Sequence, residues 1–266
     1  MTYNPLQIFK DISRRRDLLF QLVQRDVLLR YRGAMFGVLW IFLSPLLMLT
    51  VFAFIFGHIF QARWPQQATG LPFWLLLYSG LIAFNIFAET VSRAPTAVRG
   101  YPSYVKKIIF PVEILPLVPL GASLVHAGFN LLILVAALAW TGNLHPTIVL
   151  FPVLLAPLVL FSLGLAWFLA AWGVFIKDMT QIVPVFVQML LFLSPVFYPI
   201  EAVPQKLQPI YLHNPLGAVI EACRAVVAGN PVPWTAWSLA LLLSVVAFVL
   251  GYAFFQHSRE EFADAL

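Results

Sequence analysis

Residues Gln24–Phe60 read QRDVLLRYRGAMFGVLWIFLSPLLMLTVFAFIFGHIF. Arg25, Asp26, Arg30 and Arg32 crowd the first part, and from Phe36 to Phe60 no Asp, Glu, Lys or Arg occurs. An apolar run of about 20 residues crosses the ~30 Å hydrocarbon core of a bilayer as a helix. The run is too long, and its preceding segment too charged, for a cleaved signal peptide, so it reads as an uncleaved first span. Working outward, five more apolar stretches follow at Phe73–Val91, Val112–Trp140, Ile148–Ile176, Ile182–Tyr198 and Trp234–Phe255. The fifth is short for a span. Composition points the same way: the chain of 266 residues is 61% hydrophobic and 10% charged, where a soluble domain carries about 25% charge. The sequence therefore predicts an all-α polytopic membrane protein with six transmembrane helices and no separate soluble domain.

The positive charges give these helices a direction. With the N-terminus inside, thirteen of the 16 Lys and Arg fall on the cytoplasmic side and only Arg63, Lys206 and Arg224 outside. The positive-inside rule then puts both termini in the cytoplasm. The net charge of +5 is a topology signal that meets anionic lipid head groups, not a nucleic-acid footprint. The expected segments are residues 1–35 as a cytoplasmic and interfacial lead, 92–111 as a cytoplasmic gap, 199–233 as a proline-punctuated external gap and 256–266 as a cytoplasmic tail. Within the lead, Leu19, Phe20, Val23 and Val27 recur at helical spacing over Asp17–Tyr31, which predicts an amphipathic helix lying in the membrane interface. Within the external gap, Leu216–Ala228 is apolar but too short to span, and such a piece is expected to be re-entrant or interfacial.

Few polar groups enter the spans. Glu89 and Glu113 sit at cytoplasmic ends, within reach of Arg93 or Lys107, and no charge lies at a midplane, which disfavours a proton- or sodium-coupled carrier. His126 and Asn130, four residues apart on the third stretch, read as interhelical hydrogen-bonding groups. Gly33 and Gly37 have a GxxxG spacing, a weak dimer signal. The single Cys223 excludes an intrachain disulfide or a Cys-rich metal site. No Gly-Lys dipeptide, and hence no phosphate-binding loop, occurs, nor does any clustered carboxylate or His set that would hold a metal. No catalytic, cofactor or metal residue is expected in this chain, so an energy source would have to dock on its cytoplasmic face.

Four stretches carry a resemblance: Gln24–Trp40, Tyr104–Pro116 (YVKKIIFPVEILP), Phe175–Met179 (FIKDM) and Ser194–Ile200 (SPVFYPI) with Asn214-Pro-Leu downstream. Distributed over nearly the whole chain, they resemble the permease subunits of ABC-2-type ATP-binding-cassette exporters, specifically those for O-antigen and related polysaccharides. That resemblance implies a homodimer with two separate nucleotide-binding subunits, ATP and Mg being held by the partner, in a bacterial inner membrane. It implies that Ala94–Tyr104 is a coupling helix, with Arg99, Tyr101, Tyr104, Lys106 and Lys107 turned to the ATPase. It implies that Ile200–Gly229 forms short gate helices, and that spans one and five line a channel between protomers. Trp40, Phe186, Phe197, Tyr198, Glu221 and Arg224 are the channel and gate candidates. An undecaprenyl-diphosphate-linked glycan would be the substrate, with Arg14, Arg15, Arg16, Arg30 and Arg32 at the entrance for its diphosphate. Exporters of other polymers, such as capsule or teichoic acid, fit the same spans; a membrane-embedded enzyme acting on polyprenyl lipids and a passive channel or scaffold are the alternatives of a different class.

Overall fold

The computed structural model describes residues 14–59, 71–102 and 110–265. The described residues are helical with no strand. The main helices are α1 (Arg16–Tyr31), α2 (Trp40–Phe52), α3 (Phe73–Ala97), α4 (Leu117–Trp140), α5 (Ala156–Phe175), α6 (Met179–Leu193), α7 (Pro215–Val227) and α8 (Trp234–Ser258). Among the described residues five helical segments are long and apolar enough to cross a membrane: Gly37–Phe56, Phe73–Ala97, Val112–Trp140, Pro146–Phe175 and Trp234–Glu261. The fifth expected stretch is shorter than its apolar run. Its helix, α6, stops at Leu193, because Ser194 precedes Pro195 and a residue before proline is driven out of the helical region. Fifteen residues give about 22 Å of helix.

α3 is the axis of the fold. Of its most apolar window 78% is buried, against 11% for the window of α2. Around α3 pack α4, α5, α6 and α7, while α8 lies behind α5 and α2 leans on α4. The tightest contacts are made by glycines on opposite sides of α5. A Cβ on Gly164 would lie 2.4 Å from the Ala247 carbonyl oxygen of α8, and one on Gly251 only 2.0 Å from that of Gly164. A Cβ on Gly173 would lie 2.2 Å from the Pro95 carbonyl oxygen of α3. Close backbone approach through small residues is how helices associate where no hydrophobic effect drives them together. Trp167, fully buried, ties three elements: its indole N–H donates to the Glu113 carbonyl at 3.0 Å, and its ring meets Phe248 and Tyr252 edge-on at 5.1 and 5.0 Å.

Two sequence expectations change here. The spacing in α1 predicts a helix lying in the membrane interface with its apolar face in the acyl boundary. Instead Leu22 and Val27 are buried against the protein, and Val23 fits over Gly121 of α4, where an added Cβ would come within 2.5 Å of Val23 Cγ2. Phe20, Leu28 and Leu29 are the apolar residues left exposed. The Gly33 and Gly37 spacing does not lie on a helix face: both residues have positive φ, 84° and 49°, and shape the turn between α1 and α2. Glycine is required there because a side chain rarely adopts that backbone region.

The segment after α6 is punctuated by its own caps. The Asn214 side chain accepts from the Leu216 backbone N–H at 3.1 Å, and Pro215 opens α7, a favourable cap and first residue. Gly229, at φ 70°, ends it. All but two residues of α7 are buried, so the apolar piece Leu216–Ala228 is a packed helix wedged against α3, α5 and α8.

Candidate functional site

The two ends of α3 carry the polar chemistry. At the end nearer Ala97, Glu89 and Arg93 face α1. Arg93 binds Asp26 with two hydrogen bonds, at 2.8 and 2.5 Å, and lies 3.5 Å from Glu89 one turn away. Glu89 accepts from Arg30 of α1 and from His126 Nδ1 of α4, the latter at 3.0 Å. With its proton on Nδ1 serving Glu89, His126 offers Nε2 to the Tyr31 hydroxyl at 3.2 Å. Burial pushes the Tyr31 hydroxyl above its ordinary pKa, with the Arg30 charge opposing, so it remains a donor. Two acids and two arginines thus balance in a half-buried site, with α1, α3 and α4 each contributing. Hydrogen bonding continues along α4: Asn130 donates to the His126 carbonyl at 2.7 Å and accepts from the Tyr78 hydroxyl at 2.7 Å. Tyr78→Phe is expected to remove about 1 kcal/mol, seen as a thermal midpoint a few degrees lower in detergent.

At the other end, Arg224 of α7 is 3% exposed. Its guanidinium donates to Glu221 at 2.7 Å and to the carbonyls of Val196 and Tyr198, the second at 3.5 Å. A Cβ on Gly80 of α3 would come within 3.4 Å of it, so the charge sits beside the central helix. These carbonyls belong to the chain just after α6, where proline has ended the helix and backbone acceptors lack intrahelical partners. The Tyr198 hydroxyl donates to the Phe192 carbonyl at 3.0 Å and lies 3.4 Å from the Tyr211 hydroxyl. Arg224 therefore pins the end of α6 to α7.

The remaining candidates fall as follows. Arg99 is half-buried in the turn after α3, and the Tyr101 backbone N–H closes that turn on the Val98 carbonyl at 3.0 Å. As far as it is described, the expected helix Ala94–Tyr104 comprises the last turn of α3, a turn over residues 98–100 and, at Pro102, helix again. Tyr104, Lys106 and Lys107 lie outside the described residues. Arg14 and Arg16 are exposed at the start of α1 and Arg32 is exposed just past its end; Arg15 is half-buried. Arg16 and Arg30 are about 21 Å apart along the helix, so one diphosphate reaches one end only, and Arg30 is committed to Glu89. Phe186 is 62% exposed on α6, and Trp40 and Phe197 are half-buried. Among the described residues no group of three His, Cys, Asp or Glu is placed to hold a metal.

The pattern known as ABC-2 type transporter matches residues 17–228, from the second residue of α1 to just past the end of α7. The chain belongs to the ABC-2 type transporter family. It is a multi-pass membrane protein of a transporter family. The O-antigen export system permease protein RfbA of Myxococcus xanthus is 29% identical over 267 residues, covering 98% of this chain and all of that protein. Its namesake in Klebsiella pneumoniae is 23% identical over 253 residues, 94% of this chain and 95% of that one. The polysialic acid transport protein KpsM of Escherichia coli is 25% identical over 247 residues, 90% of this chain and 92% of that one. These relatives are transport proteins.

Reading the sequence alone pairs Glu89 with Arg93 but misses Asp26, Arg30 and Tyr31 as their partners. The available signal is that Asp26 and Arg30 stand four residues apart, as Glu89 and Arg93 do, in the same order of charge, so that two antiparallel helices bring each acid against the other helix's arginine.

Proposed function

We propose that this ABC-2 chain is the permease subunit of an ATP-driven exporter of undecaprenyl-diphosphate-linked polysaccharide. The observation that carries the reading is the unequal burial of its helices. α2 and α6 keep broad apolar faces open, with Leu46, Leu47 and Val51 on one and Phe186, Met189 and Phe192 on the other. Within one chain these faces have nothing to close against. A second copy would enclose a passage between them, lined by Trp40 and Phe186, with Phe197, Tyr198, Glu221 and Arg224 toward its outer end. In this arrangement α6 is the shortened fifth of six crossings, α7 re-enters the membrane from outside and both termini are cytoplasmic. Two separate ATPase subunits, holding ATP and Mg, dock on the segment that begins at Val98, with Arg99, Tyr101, Tyr104, Lys106 and Lys107 as contacts. The lipid diphosphate is drawn to one end of α1, either to exposed Arg14 and Arg16 or to exposed Arg32. The names of the relatives from Myxococcus and Klebsiella support the O-antigen class of polymer; the relative that transports polysialic acid supports a capsule-type polymer as the second reading.

Deleting the gene is expected to leave lipid-linked glycan on the cytoplasmic leaflet while synthesis continues, with restoration by the wild-type gene. Undiminished surface polymer in the deletion strain refutes the reading, and the composition of the retained polymer separates the two classes. Arg99→Glu is expected to reduce co-purification of the ATPase at least tenfold with membrane insertion unchanged; full co-purification removes the docking assignment.

A further inference from the structure

We infer that Asp26, Arg30, Glu89 and Arg93 form a register lock that makes α1 and the cytoplasmic end of α3 move as one body, so that displacement delivered to the end of α3 reaches the first span. The inference rests on the exporter reading above and assigns these four as positioning residues of its cycle.

The lock has two rungs. Arg93 pairs with Asp26, and Glu89 pairs with Arg30. Going from 89 to 93 on α3 matches going from 30 to 26 on α1, so the helices run antiparallel at this contact. Four residues on each helix is one turn, about 6 Å. Along α3 the charges read minus then plus; along α1, at matching heights, plus then minus. Sliding one helix by a turn brings Glu89 against Asp26 or Arg93 against Arg30. Both misregisters oppose like charges in a site where the acids are only 17% and 13% exposed, and screening by water there is weak. The pairs therefore select one register rather than merely adding attraction. A lone surface pair would not do this, since its contribution is small and its geometry loose.

Other contacts show which elements the lock joins. His126 of α4 bonds Glu89 and lies 3.1 Å from Arg30 Nη1, which closes the upper rung against a third helix. Val27 of α1, Ile41 of α2 and Ala122 of α4 bury one another, and Phe42 meets Phe129 edge-on at 4.8 Å. From the lock, the chain passes through the glycine turn directly into α2. At the lower end Arg93 is one turn from Ala97, where α3 stops and the proposed docking segment begins. Contact thus runs from the docking segment through the end of α3 and α1 to the span proposed to line the passage. In this scheme the interfacial helix is a lever rather than only an anchor.

The test uses inside-out membrane vesicles carrying the complete permease and ATPase complex, with the host glycan pulse-labelled from a radioactive sugar nucleotide. ATP hydrolysis, and ATP-dependent protection of labelled glycan inside the vesicle, are read separately. Arg93→Ala is expected to keep ATPase association and hydrolysis within twofold while glycan protection falls at least tenfold. Asp26→Cys with Arg93→Cys is expected to be equally uncoupled, and a short bismaleimide joining the two thiols to return protection to at least half the wild-type level. A bismaleimide rather than a disulfide suits a gap that an arginine side chain spans, because a disulfide needs Cα atoms within about 7 Å. Cys223 is fully buried and leaves the reagent to the engineered pair. Normal protection in Arg93→Ala overturns the lock, as does a joined pair that stays inactive, since the link would then have to open in each cycle. Hydrolysis and protection falling in parallel in both variants also overturns it. Failure of the wild-type complex to protect any glycan counts instead against the exporter reading.

Discussion

Gly251→Ala is expected to prevent α5 and α8 from docking, leaving protein that inserts but aggregates on detergent extraction. In most helices the reverse holds, since alanine is favoured over glycine by about 1 kcal/mol. Here the added methyl would lie 2.0 Å from the Gly164 carbonyl oxygen and 2.6 Å from its carbonyl carbon. Both are backbone atoms of a packed helix, which cannot rotate away as a side chain can. Gly164→Ala meets the Ala247 backbone at 2.4 Å and is expected to fail in the same way. Gly128→Ala is the control: no atom lies within 4 Å of its built Cβ, and it is expected to be neutral or slightly stabilising. Size-exclusion profiles and thermal midpoints of the three variants decide the matter. Equal behaviour of Gly251→Ala and Gly128→Ala would show that the helices can separate without loss.

The second large effect is expected at Arg224. Arg224→Met retains much of the volume but removes the guanidinium that serves Glu221 and two carbonyls. Removing one partner of a buried pair costs about 3–5 kcal/mol, because the other is left in a poorly solvating site. The pair's side chains are 4% and 19% exposed, so solvent screening recovers little. Adding Glu221→Gln is expected to restore part of the loss by removing the charge, but not the bonds to Val196 and Tyr198. The double variant should therefore fold yet let the end of α6 separate from α7, measurable as faster proteolysis within residues 194–214. A single variant as stable as wild type would mean that the charge pair holds nothing together.

Much of the architecture was legible because membrane crossing is a matter of length and polarity. Phe36 onward has no charged side chain for a full span, and no later contact can change that. The short fifth helix was legible as a short apolar stretch, and Pro195 explains why it ends sooner still. The partner of α1 was not legible: Leu19, Val23 and Val27 define an apolar stripe, but a stripe does not say whether lipid or another helix covers it. Only Gly121, nearly a hundred residues away, supplies the groove for Val23. The site was half legible for the same reason. Glu89 and Arg93 are one turn apart, but Arg30 and Asp26 reach them across the fold. Arg224 was legible as a charge inside the apolar piece Leu216–Ala228, but its partners, the carbonyls of Val196 and Tyr198, stand more than twenty residues back and were not. The apolar residues flanking it on both sides, Val219 to Val227, were the available sign of burial.

α6 also has a consequence for the bilayer itself. As the proposed fifth crossing, with about 22 Å of helix in a hydrocarbon layer of ~30 Å, it is mismatched by roughly a quarter. Membranes accommodate a short span by thinning locally. Two such helices facing each other would place the passage at the thinnest point of the barrier. In the proposed exporter a hydrated polymer crossing there would spend fewer of its repeats away from water at any instant, which would lower the dehydration work demanded of each ATP-driven step.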